Sequence, residues 1–349
     1  MARRSWTSIW AKGMASGMKA LRKASKPARK PTTKRSAAPK PEPKPKPGVG
    51  HWLSGVAVGA AGARRYKLYL PPGLKTGERV PMIVMLHGCG QDAASFAAST
   101  RMNQIAARAG FIVLYPEQDR LANPQGCWNW FDTRSGHAYR EAAVIMAAID
   151  KACLLAPVDP QRVAVAGLSA GASMAALLAT QQPERFRAVV MHSGIPPGMA
   201  NSTLSALSAM RGRRAAAPLQ TTPAVMAATA AKATTAATAS FPTTWPPLLV
   251  IHGSADSVVA VRNGRAAAQV WADAAGAKAT AVRSVQRGKR HAMNVTDFKS
   301  KAGTVVSLVE IGRLGHAWSG GAASQAFSDA QGPDASRMVW AFAARQFGV

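Results

Sequence analysis

A chain of 349 residues, 48% of them apolar, is long enough for one large α/β domain with extensions or for two modest domains. No apolar run reaches the ~18 residues of a membrane-crossing helix, so no transmembrane span is expected. The formal charge of +28 is uneven: residues 1–50 hold fourteen Lys/Arg against Glu42 alone, a field that favours anionic surfaces such as acidic lipid, polyphosphate or nucleic acid. Three cysteines do not make a disulfide framework.

In chain order, residues 5–23 place Trp6, Ile9, Trp10, Met14, Met18 and Leu21 on one half of a helical wheel and Lys12, Lys19, Arg22 and Lys23 on the other. Residues 1–23 therefore read either as a basic amphipathic segment that lies on a surface or as a solvated extension. Gly13 and Gly17 each weaken such a helix by about 1 kcal/mol relative to Ala. The apolar stretch is interrupted by Lys12 and Lys19 and lacks the core of a secretory signal, which sets the expectation of a cytoplasmic protein. Residues 24–50 form a Lys/Pro-rich linker, extended because alternating proline blocks helix and sheet. Without interleaved aromatics it is no specific nucleic-acid reader, though its charge suits nonspecific backbone contact.

Residues 51–349 have globular patterning. Apolar runs predict strands at 65–70, 82–87, 111–115, 163–168, 188–192, 248–252 and 305–311, with helices at 96–109, 138–154, 171–181, 262–276 and 335–347. Continuous apolar strands alternating with helices predict an α/β fold: a mostly parallel twisted sheet with helices on both faces. An Ala/Thr/Pro-rich stretch at 196–245 interrupts this rhythm as a lid-like insertion. Cys153 falls on an apolar helix and is expected in the core.

Gly167-Leu168-Ser169-Ala170-Gly171 lies between a predicted strand and a predicted helix. A G-x-S-x-G in that context is a nucleophile elbow, a sharp turn that lifts the serine Oγ off the sheet. A serine hydroxyl needs a base, and the base needs an orienting carboxylate. In the expected order of serine, acid and histidine, Asp256 follows an apolar strand and His316 follows a later one. His192 precedes the acid in sequence, His252 ends a strand as a structural residue, and His291 sits in a basic, solvated run. Two N–H donors are required for the oxyanion, one from Ala170 and one from the His87-Gly88-Cys89-Gly90-Gln91 loop, where Cys89 is the choice. His87 has no metal-spaced partners, so it is read as orienting that loop.

The blocks His87-Gly88-Cys89, Tyr115-Pro116-Glu117-Gln118, Cys127-Trp128-Asn129-Trp130-Phe131, Gly167 to Gly171 and Gly315-His316-Ala317-Trp318 resemble the esterase/poly(3-hydroxybutyrate) depolymerase family over about residues 52–347. The resemblance implies an α/β-hydrolase with a single catalytic domain, no cofactor and no metal, and ester hydrolysis through an acyl-enzyme. Carried over, Ser169, Asp256 and His316 match the catalytic triad, and Cys89 and Ala170 the oxyanion donors. Trp128, Trp130 and Trp318 match blocks near the substrate cleft, with a core role as the alternative for Trp128 and Trp130. The implied partners are ester oligomers or a polyester granule surface, with residues 1–50 docking on an anionic coat. A disulfide between Cys89 and Cys127, present in some relatives, points instead to a secreted protein. A feruloyl or acetylxylan-type carbohydrate esterase and a non-enzymatic granule-binding protein are the alternative functions.

Overall fold

The protein is described from a computed structural model over residues 50–59, 61–219 and 245–349. The amphipathic segment 1–23, the linker up to residue 49, and positions 220–244 of the insertion lie outside the described residues.

The chain opens with an antiparallel hairpin, β1 (His51–Gly59) and β2 (Gly62–Leu70). There follow β3 (Val80–Leu86), α1 (Ala93–Thr100), α2 (Met102–Ala109), β4 (Ile112–Pro116), α3 (His137–Leu155) and β5 (Val158–Leu168). Next come α4 (Ala170–Gln181), β6 (Ala188–His192), α5 (Thr203–Met210), β7 (Leu248–Gly253) and α6 (Arg262–Ala274). The last third holds β8 (Lys278–Ala279), β9 (Arg283–Val285), β10 (Met293–Ser300), β11 (Gly303–Ile311), β12 (Trp318–Ser319), β13 (Ser328–Asp329) and α7 (Ala335–Phe347).

The main sheet has the order β1-β2-β4-β3-β5-β6-β7-β11-β10-β8, and β9 also pairs with β10. From β4 to β11 the six strands run parallel in five successive pairs. Every residue of β3, β4, β6 and β7 is buried, which is why these strands read as unbroken apolar runs instead of alternating ones. On one face Ile83, Met85, Val113, Val190, Ile251 and Val309 meet α1, α2 and α7. Helices α3, α4 and α6 pack against the other. This is the mostly parallel sheet with helices on both faces that the strand–helix alternation predicts.

The predicted helix at 96–109 is corrected: it is two helices, broken at Arg101, whose φ of 55° and ψ of 25° are left-handed. The break frees the carbonyls of Ser99 and Thr100, which accept from Ala322 N and Ser336 Oγ. Patterning also misses β1, the β8–β10 extension and α5, all partly exposed elements. Helix α5 lies within the insertion and is closed at its start by a reciprocal Ser202–Ser205 capping box. Cys153 is half-buried, not core, with Arg185 Nη2 at 3.8 Å from its sulfur.

Candidate active site

Ser169 joins β5 directly to α4 with φ 56° and ψ −120°, a backbone conformation few non-glycine residues adopt. The turn is possible because its flanks are small. A Cβ at Gly167 would lie 2.3 Å from the backbone of Gly171, and one at Gly171 would lie 2.1 Å from Leu86 O. A ladder of backbone bonds then carries the strand edge across the sheet: Ser169 N to His192 O, Ser193 N to Ile251 O, and Ser254 N to Ile311 O, each 2.9 Å. The carboxyl ends of β5, β6, β7 and β11 therefore form one edge, and Ser169, Asp256 and His316 all follow strands that end there.

Asp256 and His316 meet on this edge. Asp256 Oδ1 accepts from Val258 N at 3.0 Å and Val259 N at 2.9 Å, while Oδ2 lies 2.8 Å from His316 Nδ1. Burial alone raises the Asp256 pKa, but the hydrogen bond and charge of His316, the nearby His252 and the backbone donors outweigh it and hold it below the usual value. An ionised carboxylate only accepts, so Nδ1 of His316 carries the proton and Nε2 is left as the basic nitrogen. The loops are seated closely: a Cβ on Gly253 would lie 2.1 Å from Leu314 O. No hydrogen bond links Ser169 Oγ to His316 among the described residues; such bonds commonly tighten only with substrate in place.

Ala170 supplies the first N–H of α4, which the helix's own ladder does not use. Across the edge, the loop after β3 is braced from several sides. His87 Nε2 accepts from Gln118 N at 3.1 Å, His87 O accepts from Trp128 Nε1 at 3.1 Å, and Gly88 N donates to Gln91 Oε1 at 3.0 Å. Gly90 N donates to Gln125 O, whereas Cys89 N–H has no acceptor among the described residues. Cys89 and Cys127 form a disulfide across a sequence separation of 38. Closing a loop of that size stabilises a fold by about 4 kcal/mol in the chain-entropy account. Reduction is therefore expected to lower the urea unfolding midpoint and also to slow ester turnover by loosening the Cys89 loop; unchanged turnover would separate the bond from the site.

Beneath the disulfide lies a polar network that sequence reading missed. Glu141, fully buried, accepts from Asn129 N and Asn129 Nδ2 at 2.8 Å and from Gln118 Nε2 at 2.7 Å, and pairs with buried Arg64 at 3.2 Å. Gln118 also donates to Cys127 O at 3.0 Å and accepts from Arg64 Nε at 2.7 Å. One carboxylate thus holds Asn129 and, through Gln118 and the disulfide, braces the Cys89 loop. Its available signal was a lone Glu in the apolar run that becomes α3.

The aromatic expectations change. Trp128 and Trp318 are fully buried: Trp128 takes the core role that stood as its alternative, and the reading of Trp318 as a substrate contact is corrected, since it has no surface left to offer. Trp128 packs on His87, and Trp318 stacks on His192 with its Nε1 bonded to Ser336 Oγ at 3.1 Å. Trp130 retains 8% exposure and meets Phe131 edge-on. His291 is also corrected: it is not solvated but lies 3.2 Å from Asp329, with its side chain 11% exposed.

His192 Nε2 accepts from Ser319 N at 3.2 Å, which ties β6 to the loop that carries His316. His252 Nε2 donates to Val259 O at 2.8 Å and lies 3.5 Å from Asp256 Oδ2. Burial lowers the pKa of His192 to about 3, with the charges of His252 and His316 adding to the effect, and burial also lowers His87 and His252. These rings stay neutral in the fold but take up protons once unfolded, below their ordinary value of 6.5. Their contribution to stability is therefore fully present above about pH 6.5 and is lost as pH falls, for His192 down toward about 3. Denaturant midpoints at pH 7, 5.5 and 4.5 should decline in that order, and a flat series would contradict buried neutral histidines.

Strand order, an elbow serine and an acid–histidine pair on the next strands define the class as α/β-hydrolase. Residues 64–290 match the family described as esterase PHB depolymerase, and the chain belongs to that family of ester hydrolases. Poly(3-hydroxyalkanoate) depolymerase C of Paucimonas lemoignei is 35% identical over 145 residues, which cover 41% of this chain and 34% of that protein. The match to that relative thus spans about a third of its length. Feruloyl esterase B of Neurospora crassa is 29% identical over 61% of this chain and 70% of its own. Among solved structures, acetyl xylan esterase from Aspergillus awamori superimposes with a TM-score of 0.54 at 20% identity, covering 76% of this chain and 94% of that one.

Proposed function

We propose that the protein is a serine esterase that cleaves poly- or oligo(3-hydroxyalkanoate) esters through an acyl-enzyme. The observation that carries this reading is the 2.8 Å contact between His316 Nδ1 and Asp256 Oδ2 on the sheet edge that also presents the Ser169 elbow. In this mechanism His316 Nε2 takes the Ser169 proton as Oγ attacks the ester carbonyl, while Asp256 stabilises the imidazolium. The N–H groups of Ala170 and Cys89 receive the developing oxyanion. His316 then protonates the leaving alkoxide, and a water activated by the same nitrogen releases the hydroxy acid. Trp130 is assigned to the substrate side because, at 8% exposure, it alone of the three tryptophans keeps any accessible surface.

The family match and the depolymerase relative support the hydroxyalkanoate substrate. The larger coverage of feruloyl esterase B supports the second reading, a carbohydrate esterase. One panel separates them: 3-hydroxybutyrate oligomers against feruloyl and acetyl sugar esters. Preference for the oligomers supports the first, preference for sugar esters replaces it with the second, and no turnover of any ester leaves the non-enzymatic binding reading. We assign residues 51–349 to catalysis, 196–245 to a lid and residues 1–50 to docking on an anionic granule coat. Deleting residues 1–50 is expected to spare soluble-ester turnover and weaken granule binding; equal loss of both refutes the docking role. The Cys89–Cys127 disulfide weighs toward secretion, since such bonds persist in oxidising compartments, and among the described residues no helix is long and apolar enough to cross a membrane.

A further inference from the structure

On the face of the sheet covered by α1, α2 and α7, two adjoining cavities share Arg101 and Gln104. The first, about 210 Å³, is lined by Arg101, Arg108, Arg290 and Arg337, with Asp334 as its only carboxylate. That carboxylate is already engaged: Asp334 Oδ1 caps α7 by accepting from Arg337 N at 3.0 Å, and Oδ2 lies 3.6 Å from Arg337 Nε. Two of the arginines are fixed in place by backbone carbonyls. Arg101 Nη2 donates to Gly320 O, and Arg290 Nη1 donates to Gly332 O and Ala330 O. Neutral carbonyls orient a guanidinium without cancelling its charge. With four guanidinium groups against one carboxylate the lining is net positive, and the planar forks match a carboxylate.

The second cavity, about 370 Å³, has a different lining. Trp52 and the small side chains of Ala94, Ala97 and Ala98 form its apolar part, Lys67 and Arg101 are its charges, and no carboxylate lines it. A cationic pocket beside an apolar one, with Arg101 and Gln104 lining both, fits an acid head joined to a carbon chain.

We infer that these cavities form a binding site for the free carboxylate end of an acyl or hydroxyacyl chain, with the head on the arginines and the chain over Trp52 and the alanines. The inference deepens the ester-hydrolase reading, because such an end is what ester cleavage leaves on a polymer or product. Its test uses acids that are not esters, so failure of this site and failure of catalysis are seen separately.

The experiment is calorimetric titration of the full chain at constant ionic strength with 3-hydroxydecanoate, 3-hydroxybutyrate and inorganic phosphate. The expected result is a single saturable site that binds the longer acid about tenfold or more tightly than the shorter one, as partial burial of its extra methylenes requires, with phosphate weakest. The double variant Arg108→Ala/Arg337→Ala should weaken all three by about tenfold and leave turnover of a soluble ester unchanged. Ala98→Glu, on the exposed side of α1, should remove the advantage of the longer chain. Phosphate binding as tightly as 3-hydroxydecanoate would reduce the site to a plain anion patch and overturn the inference. Affinities unchanged in both variants would overturn it as well.

Discussion

Ser169→Ala is expected to lower kcat on a soluble 3-hydroxyalkanoate ester by on the order of 10⁴- to 10⁶-fold while leaving KM within a few-fold, because loss of a nucleophile removes the reaction path and not the binding surface. The substitution is well placed as a test. Ser169 already holds φ 56° on a turn made by its small neighbours, so alanine inherits the same backbone and no large atom is added. The denaturant midpoint should therefore stay near that of the parent. Single-turnover experiments check the chemistry directly: the parent shows a burst of alcohol product as acyl-enzyme accumulates, and the variant shows none. Turnover retained in Ser169→Ala would overturn the acyl-enzyme reading whatever the substrate.

Glu141→Leu is expected to destabilise the fold by about 3–5 kcal/mol, the usual consequence of leaving a buried charge without its partner. Arg64 keeps only 3% exposure, and its guanidinium would face an apolar side chain. The Asn129 N–H and Asn129 Nδ2 would lose their acceptor at the same time, and Gln118 Nε2 would keep only Cys127 O. A second variant separates stability from function. Arg64→Leu combined with Glu141→Leu removes both charges, and apolar replacement of a buried ion pair is often neutral or better. The double variant should recover most of the lost midpoint yet stay slow, because Asn129 still lacks its carboxylate. Full recovery of turnover together with stability would show that the network matters only for folding.

Both predictions concern the same edge of the sheet, but they were unequally visible beforehand. The Ser169 elbow is legible because its requirements are local: a buried strand, three small residues and a helix, all within about a dozen positions. The acid and histidine are legible because each follows an apolar strand in a fixed order. Glu141 is not, since its four donors come from positions 64, 118 and 129, and no period or spacing in the chain links them. The burial of Trp128 and Trp318 is hidden from the sequence for the same reason. A motif places an indole in a loop, but only packing decides whether its face is covered, and here His87 and His192 cover them. The break at Arg101 shows tertiary demand overriding local preference: an alanine-rich stretch reads as one helix, yet Gly320, Ala322 and Ser336 draw on the carbonyls and guanidinium at its centre.

The amino-acid sequence by itself determined the α/β class, the parallel core from β4 to β11, the elbow and the order in which acid and base arrive. All of these follow from periodicity and from steric rules that act over a few residues. Tertiary structure alone decided which groups brace that edge, the Glu141 network under the disulfide and His192 against the His316 loop, and it alone assembled the arginine-lined cavity between α2 and α7. Those arrangements depend on buried polar groups finding partners far away in the chain. The energy of such pairing is set by burial and geometry, which no local pattern of residues records.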